Sequence, residues 1–104
     1  MSLGVKNEFV DKYLLVGPDK FYKFLLFYAI KKLVKISDQD QKNIKSPEME
    51  FLDYSEKFLV LYRRDGNIIF LELSGVFRKA AHKVYRMMLK KGLTPFNSRF
   101  LNLV

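Results

Sequence analysis

The sequence predicts an α+β fold: two N-terminal helices, a three-stranded antiparallel meander, a C-terminal helix and an extended tail. Three observations predict it. Apolar residues recur at helical spacing before residue 37, short apolar runs follow between residues 49 and 74, and an Asp-Gly pair separates two of those runs. A chain of 104 residues fits one domain with a single compact core, so we expect one unit over residues 1–104.

The first two helices are predicted on either side of a Gly-Pro pair. Residues 7–15 carry apolar side chains at helical spacing, and Gly17 and Pro18 end that segment. Proline is also tolerated in the first turn of a helix, so a second helix is predicted over about 18–36.

The middle of the chain predicts three strands, at 49–54, 58–64 and 68–74. Asp65 and Gly66 lie between the last two strands. This dipeptide suits a two-residue type I′ turn, in which both central residues take positive φ. A tight hairpin is therefore predicted there.

A C-terminal helix is predicted over 76–91, after Gly75 breaks the third strand. Gly92 supplies a C-terminal stop and Pro95 prevents the helix from continuing. The residues from 94 to 104 are predicted to form an extended tail.

The predicted hairpin has two apolar faces. Its register would pair Tyr62 with Ile69 and Val60 with Leu71 on one face. The other face would carry Leu59, Leu61, Ile68 and Phe70. A solvated sheet face is mostly polar, so this second face needs a cover. Either the helices of the chain supply it, or a partner protein or a second copy does.

The charge of the chain is positive and unevenly distributed. The net charge is +8, and residues 73–104 hold seven Lys and Arg without an acid. Residues 19–36 hold five Lys against one Asp. A basic excess concentrated in two segments favours an anionic partner.

The predicted helix over 18–36 separates into an apolar side and a basic side. Its expected core stripe consists of Tyr22, Leu26, Ala29, Leu33 and Ile36. The opposite side carries four lysines interleaved with three aromatic rings: Lys20, Lys23, Lys31, Lys35, Phe24, Phe27 and Tyr28. Lysines with rings suit a nucleic acid, an interfacial membrane helix or a partner protein. Alternatively the rings lie under the N-terminal helix or the tail of the same chain.

The predicted helix over 76–91 has a second basic side. Its cations and its histidine are Arg78, Lys79, His82, Lys83, Arg86 and Lys90. Like charges at this spacing repel in an isolated helix. One interpretation is that the positive field of this side binds an anionic partner. A solvated face balanced by the acidic residues of 48–56 is the alternative.

Several chemistries are not supported by the sequence. It has no Cys and a single His, so we expect neither a thiolate nor a metal site. It contains no phosphate-loop, dinucleotide-binding or nucleophile-elbow motif, and we expect no cofactor and no catalytic activity. The N-terminal residues do not form the apolar region of a signal peptide, and no apolar run is long enough to span a membrane. A cytoplasmic location is therefore expected.

Together these features favour a small, cytoplasmic, non-catalytic binding domain whose partner is anionic, such as a nucleic acid held by phosphate contacts. The alternative is a protein-interaction subunit or a homo-oligomer. It would use the second sheet face, or the rings Phe24, Phe27 and Tyr28.

Overall fold

The structure, a computed structural model, describes the backbone of residues 3–38 and 46–90 and the side chains of 8–33 and 46–90. These residues form three helices, α1 (Leu3–Asp38), α2 (Pro47–Asp65) and α3 (Ile68–Lys90). Over these ranges there is no strand. The predicted α+β fold with its three-stranded meander is therefore wrong, and this part of the chain is all-helical.

The predicted first and second strands lie in one continuous helix, α2. Its buried side chains recur every three or four residues along the whole helix: Phe51, Leu52, Ser55, Phe58 and Leu61. This is the period of a helix that covers a core on one side. The aromatic and branched residues of 58–64 predicted a strand, but the buried side chains of α2 recur at the 3.6-residue period of a helix.

The predicted third strand is the beginning of α3, which continues through Gly75 to Lys90. Its buried positions keep one helical period from end to end: Leu73, Ser74, Phe77, Ala80, Ala81, Val84, Tyr85 and Met88. Gly75 is exposed and does not break the helix. The predicted helix over 76–91 is the second part of α3, and Lys91 and the tail lie outside the described residues.

The Asp-Gly pair forms a turn between helices instead of a hairpin between strands. Gly66 has φ 73° and ψ 7°, and its N–H donates to the carbonyl of Tyr62 at 2.7 Å, which caps the C-terminus of α2. Asn67 caps the N-terminus of α3, since its Oδ1 accepts from the Ile69 N–H at 3.0 Å. The predicted type I′ turn is therefore wrong: Gly66 has positive φ, but Asp65 is the last residue of α2 and does not.

α2 and α3 form an antiparallel pair held by small residues and stacked rings. Ser55 and Ser74 are buried, and each hydroxyl donates to the carbonyl of the other residue at 2.9 Å. Their small side chains let the two helices approach closely. Nearby, the ring of Phe58 stacks between those of Phe70 and Phe77, at 6.1 Å and 5.7 Å between centroids.

α1 is divided at Gly17, whose φ of 83° and ψ of 171° are not helical. We call residues 3–16 the N-terminal arm and residues 18–38 the C-terminal arm. The arms pack on each other, with ring centroids 5.7 Å apart for Tyr13 and Phe21 and 6.2 Å apart for Phe9 and Phe21. The predicted helix break at the Gly-Pro pair is confirmed.

The core stripe of the C-terminal arm differs from the prediction. Phe21, Leu25, Ala29 and Leu33 are the buried residues. Burial of Ala29 and Leu33 agrees with the prediction, but Tyr22 and Leu26 are only half-buried, and their neighbours Phe21 and Leu25 are buried instead. The side chain of Ile36 lies outside the described ones. Phe21 belongs to the core because its ring packs against those of Tyr13 on the N-terminal arm and Phe77 on α3.

The N-terminal arm is held to α3 by a hydrogen bond from the Tyr13 hydroxyl to Oε1 of Glu72, at 2.5 Å. Burial, this hydrogen bond and the negative charge of Glu72 raise the pKa of Tyr13 from 10.0 to about 12. The folded state therefore favours the neutral phenol, which links the docking of the arm to pH.

Stability should fall between about pH 10 and about pH 12 because of this phenol. A group whose folded pKa is raised contributes fully below its unfolded pKa, and the contribution is lost as pH rises through the folded pKa. Urea denaturation over this range should show a smaller decline for Tyr13→Phe than for the wild type. Tyr22→Phe is the control, because the Tyr22 hydroxyl has no hydrogen bond within the described residues. Parallel declines for the wild type and Tyr13→Phe would contradict this assignment.

Candidate functional site

The outer side of the C-terminal arm of α1 forms a groove of about 390 Å³. Its described lining consists of three lysines and three aromatic rings: Lys20, Lys23, Phe24, Phe27, Tyr28 and Lys31. Steps of three and four residues bring these side chains to one side of the helix. We call this surface the lysine–aromatic groove.

The rings of the groove are accessible to solvent. Phe27 is 65% exposed, Tyr28 39% and Phe24 38%. They project from the arm because its opposite side is occupied by buried core residues. Accessible rings on a basic surface can stack on a ligand.

Each ring of the groove has a lysine ammonium over it; for Tyr28 this is the Nζ of Lys32, 5.7 Å from the ring centroid. The Nζ of Lys12, on the N-terminal arm, lies 4.3 Å from the centroid of Phe24. The Nζ of Lys31 lies 5.5 Å from the centroid of Phe27. The N-terminal arm thus adds a cation at the edge of the groove. Lys12 was not predicted, because only the kink at Gly17 brings it there.

Tyr28 lies at the border between the groove and α2. Its hydroxyl donates to Glu50, at 2.9 Å from Oε1 and 3.1 Å from Oε2. Lys32 pairs with Oε1 of the same carboxylate at 2.8 Å. Burial and the hydrogen bond to Glu50 raise the pKa of Tyr28. Burial lowers the pKa of Lys32, but the hydrogen bond and charge of Glu50 outweigh it, so that this pKa is raised.

α3 presents a second row of cations. Lys79, Lys83, Arg86 and Lys90 are exposed at steps of three and four residues, and we call them the α3 cationic row. None of the four pairs with an acid in the part of the chain that the structure describes. Arg78 and His82, which sequence spacing also placed on this side, are half-buried at its flank.

A cation of α3 contacts the C-terminal arm of α1. The Nζ of Lys79 lies over the ring of Tyr22, 4.8 Å from its centroid. Lys79 begins the α3 cationic row, but Tyr22 does not line the groove, because at 3.6 residues per turn it lies about 200° around the helix from Lys20. The predicted anion-binding residues therefore form two separate surfaces, the lysine–aromatic groove and the α3 cationic row, and the side chain of Lys35 lies outside the described ones.

The predicted apolar sheet face does not exist, because its residues lie on α2 and α3. Leu61 is buried and Phe70 stacks on Phe58. Leu59 is half-buried, whereas Ile68 is exposed. Residues two apart point to different sides of a helix, so these four cannot form one contact surface.

The acidic side chains of residues 8–33 and 46–90 do not form a metal site. Among the described residues, no three His, Cys, Asp or Glu side chains cluster as metal ligands would. Glu48 is fully buried at the start of α2, where the positive end of the helix favours an anion. In the described ranges, no helix has an apolar stretch long enough to cross a bilayer.

Comparisons with protein-family models, with curated proteins and with solved structures found no match for this sequence. Any functional assignment therefore depends on the geometry and chemistry of its own surfaces.

Proposed function

We propose that this protein is a non-catalytic, cytoplasmic module that binds single-stranded nucleic acid in the lysine–aromatic groove. The observation that carries the proposal is the interleaving of three cations with three exposed rings on one side of one helix. The α3 cationic row is a second positive surface, on another helix.

The lysines and the aromatic rings of the groove bind different parts of a nucleotide. Lysine ammonium groups neutralise phosphates and release counterions, which supplies affinity without sequence information. The faces of Phe24, Phe27 and Tyr28 stack on bases, and stacking requires bases that are not already paired in a duplex. This requirement favours a single strand over a double helix.

The dimensions of the groove suit a short segment. Lys20 and Lys31 are eleven residues apart, so the groove is about 17 Å long at 1.5 Å per residue. Such a length has room for a few nucleotides, in the lower part of the range that small single-strand binding domains cover.

Removing groove lysines should weaken binding and its salt dependence. We expect Lys23→Ala with Lys31→Ala to lower the affinity for a labelled oligothymidine by about tenfold or more. The slope of log affinity against log salt should fall by about 1.4, since each lost phosphate contact removes about 0.7 on a single strand. Fluorescence anisotropy between about 50 and about 200 mM salt measures both quantities.

A matched control removes two cations elsewhere. Arg63→Ala with Arg64→Ala changes the net charge equally, but both residues lie at the C-terminal end of α2, outside the groove lining. This variant should keep most of the affinity. Phe27→Ala should weaken binding without changing the salt slope, because stacking releases no counterions. Equal losses in both double variants, or no binding by the wild type, would overturn the proposal.

A further inference from the structure

A second, deeper pocket lies beneath the groove, between both arms of α1, α2 and α3. It has a volume of about 140 Å³. Six aromatic rings line it: Phe9, Phe24, Tyr28, Phe51, Tyr54 and Phe77. Leu25 and Glu50 complete the described lining. We call this cavity the inner pocket.

The inner pocket is held open by contacts among its own walls. The centroid of Phe9 lies 5.0 Å from that of Tyr54 and 5.2 Å from that of Phe77, with the rings edge to face. The centroids of Phe51 and Phe77 are 5.9 Å apart. Phe51, Phe77 and Leu25 are buried, so the floor is rigid and preformed.

The volume indicates a ligand with one aromatic ring. An engineered protein cavity of about 150 Å³ with apolar walls binds benzene. The inner pocket is nearly as large, and ring edges around it suit the face of a planar guest. A fused two-ring ligand would exceed the space.

The polar part of the lining indicates a neutral ligand with a hydrogen-bond donor. Glu50 offers carboxylate oxygens, which accept up to about four hydrogen bonds, and Lys32 and Tyr28 do not use this whole capacity. Lys32 already neutralises the carboxylate at 2.8 Å. The ammonium group of Lys32 would repel a positively charged ligand, whereas it would not repel an uncharged amino group.

We propose that the inner pocket binds one neutral, planar six-membered aromatic ring whose amino group donates to Glu50. The ring has two possible sources, a free small molecule or an amino-bearing base of a single strand. The second source follows from Phe24 and Tyr28, which line both the inner pocket and the lysine–aromatic groove. The proposal rests on the pocket itself and holds whether or not the groove binds nucleic acid.

Aniline and toluene test the pocket, because they have the same shape and differ in the amino group. NMR titration of the wild type should show saturable binding of aniline, with shifts in the signals of Tyr54 and Phe77. Toluene should bind about tenfold more weakly, since it cannot donate to Glu50. Equal binding of both would overturn the role of Glu50, and binding of neither would overturn the pocket.

Leu25→Phe tests the same site by filling it. The larger side chain should occupy the pocket, abolish aniline binding and leave the melting temperature unchanged or higher, because the cavity accepts the added volume. Leu26→Phe is the matched control, since Leu26 is half-buried and does not line the pocket. It should retain aniline binding. A large drop in melting temperature for Leu25→Phe would mean overpacking of a filled core and would overturn the pocket.

Binding of oligocytidine and of oligothymidine distinguishes the two sources of the ring, a free small molecule and a base of a single strand. Cytosine presents an amino group and thymine does not. If a base of a bound strand enters the pocket, the wild type should prefer oligocytidine severalfold, and Leu25→Phe should lose the preference while keeping the affinity of the groove. Binding of aniline without this preference identifies a free small molecule as the ligand. Failure of both oligonucleotides to bind would contradict the proposed function and leave the aniline result to decide the pocket.

Discussion

Replacing Phe77 by alanine is expected to lower the free energy of unfolding by about 3–5 kcal/mol. Phe77 is fully buried at the centre of the aromatic core. Its ring contacts five others, those of Phe9, Phe21, Phe51, Tyr54 and Phe58. Because these rings come from both arms of α1 and from α2, one truncation removes contacts from every helix and leaves a cavity in addition to the lost burial.

Urea denaturation followed by circular dichroism measures this effect. Domains of this size have stabilities of about 5–15 kcal/mol, so Phe77→Ala should unfold at a much lower midpoint or be largely unfolded in water. Phe27→Ala makes the same chemical change at a position that is 65% exposed, and it should cost less than about 1 kcal/mol. Similar losses in the two variants would mean that Phe77 is not at the centre of the core.

The residues of the groove could be predicted from the sequence, because they depend on one helix only. The segment 18–36 is helical, and a helix fixes which side chains share a side. Lysines and rings at steps of three and four residues therefore had to lie together. Their exposure could not be predicted, because it depends on where the N-terminal arm packs after the kink at Gly17.

The fold class could not be predicted, because local composition and burial pattern disagree between residues 49 and 74. Aromatic and branched residues such as those of 68–71 occur often in strands, and Gly66 suits a hairpin. The decisive signal is the long apolar period that connects Phe51 with Leu61 and Leu73 with Met88. Dividing residues 49–64 into two strands and ending the third strand before Gly75 conceals that period.

No pattern in the sequence predicts the inner pocket. Its lining comes from four separate segments, and Phe9 and Phe77 are far apart in the chain. Their meeting is a result of tertiary packing around α2 and α3. The N-terminal arm supplies Phe9 to the wall, and therefore the pocket depends on the backbone at Gly17.

Gly17→Ala is expected to destabilise docking of the N-terminal arm by about 1–3 kcal/mol. Gly17 combines φ 83° with ψ 171°, a conformation that is nearly restricted to glycine. No atom lies within 4 Å of an added Cβ, so the cost comes from the backbone alone. Release of the arm would also withdraw Phe9 from the inner pocket and Lys12 from the groove.

Amide hydrogen exchange should localise this effect. Residues 8–16 should exchange faster in Gly17→Ala, whereas protection in α2 and α3 should change little, because the arm can open without global unfolding. Gly75→Ala is the matched control, since Gly75 lies inside α3, is exposed and has open space around an added Cβ. There alanine should stabilise the protein by about 0.5–1 kcal/mol, because it favours the helix that glycine weakens. Shifts of the same sign in the two variants would show that Gly17 does not hold the strained conformation on which the docked arm depends.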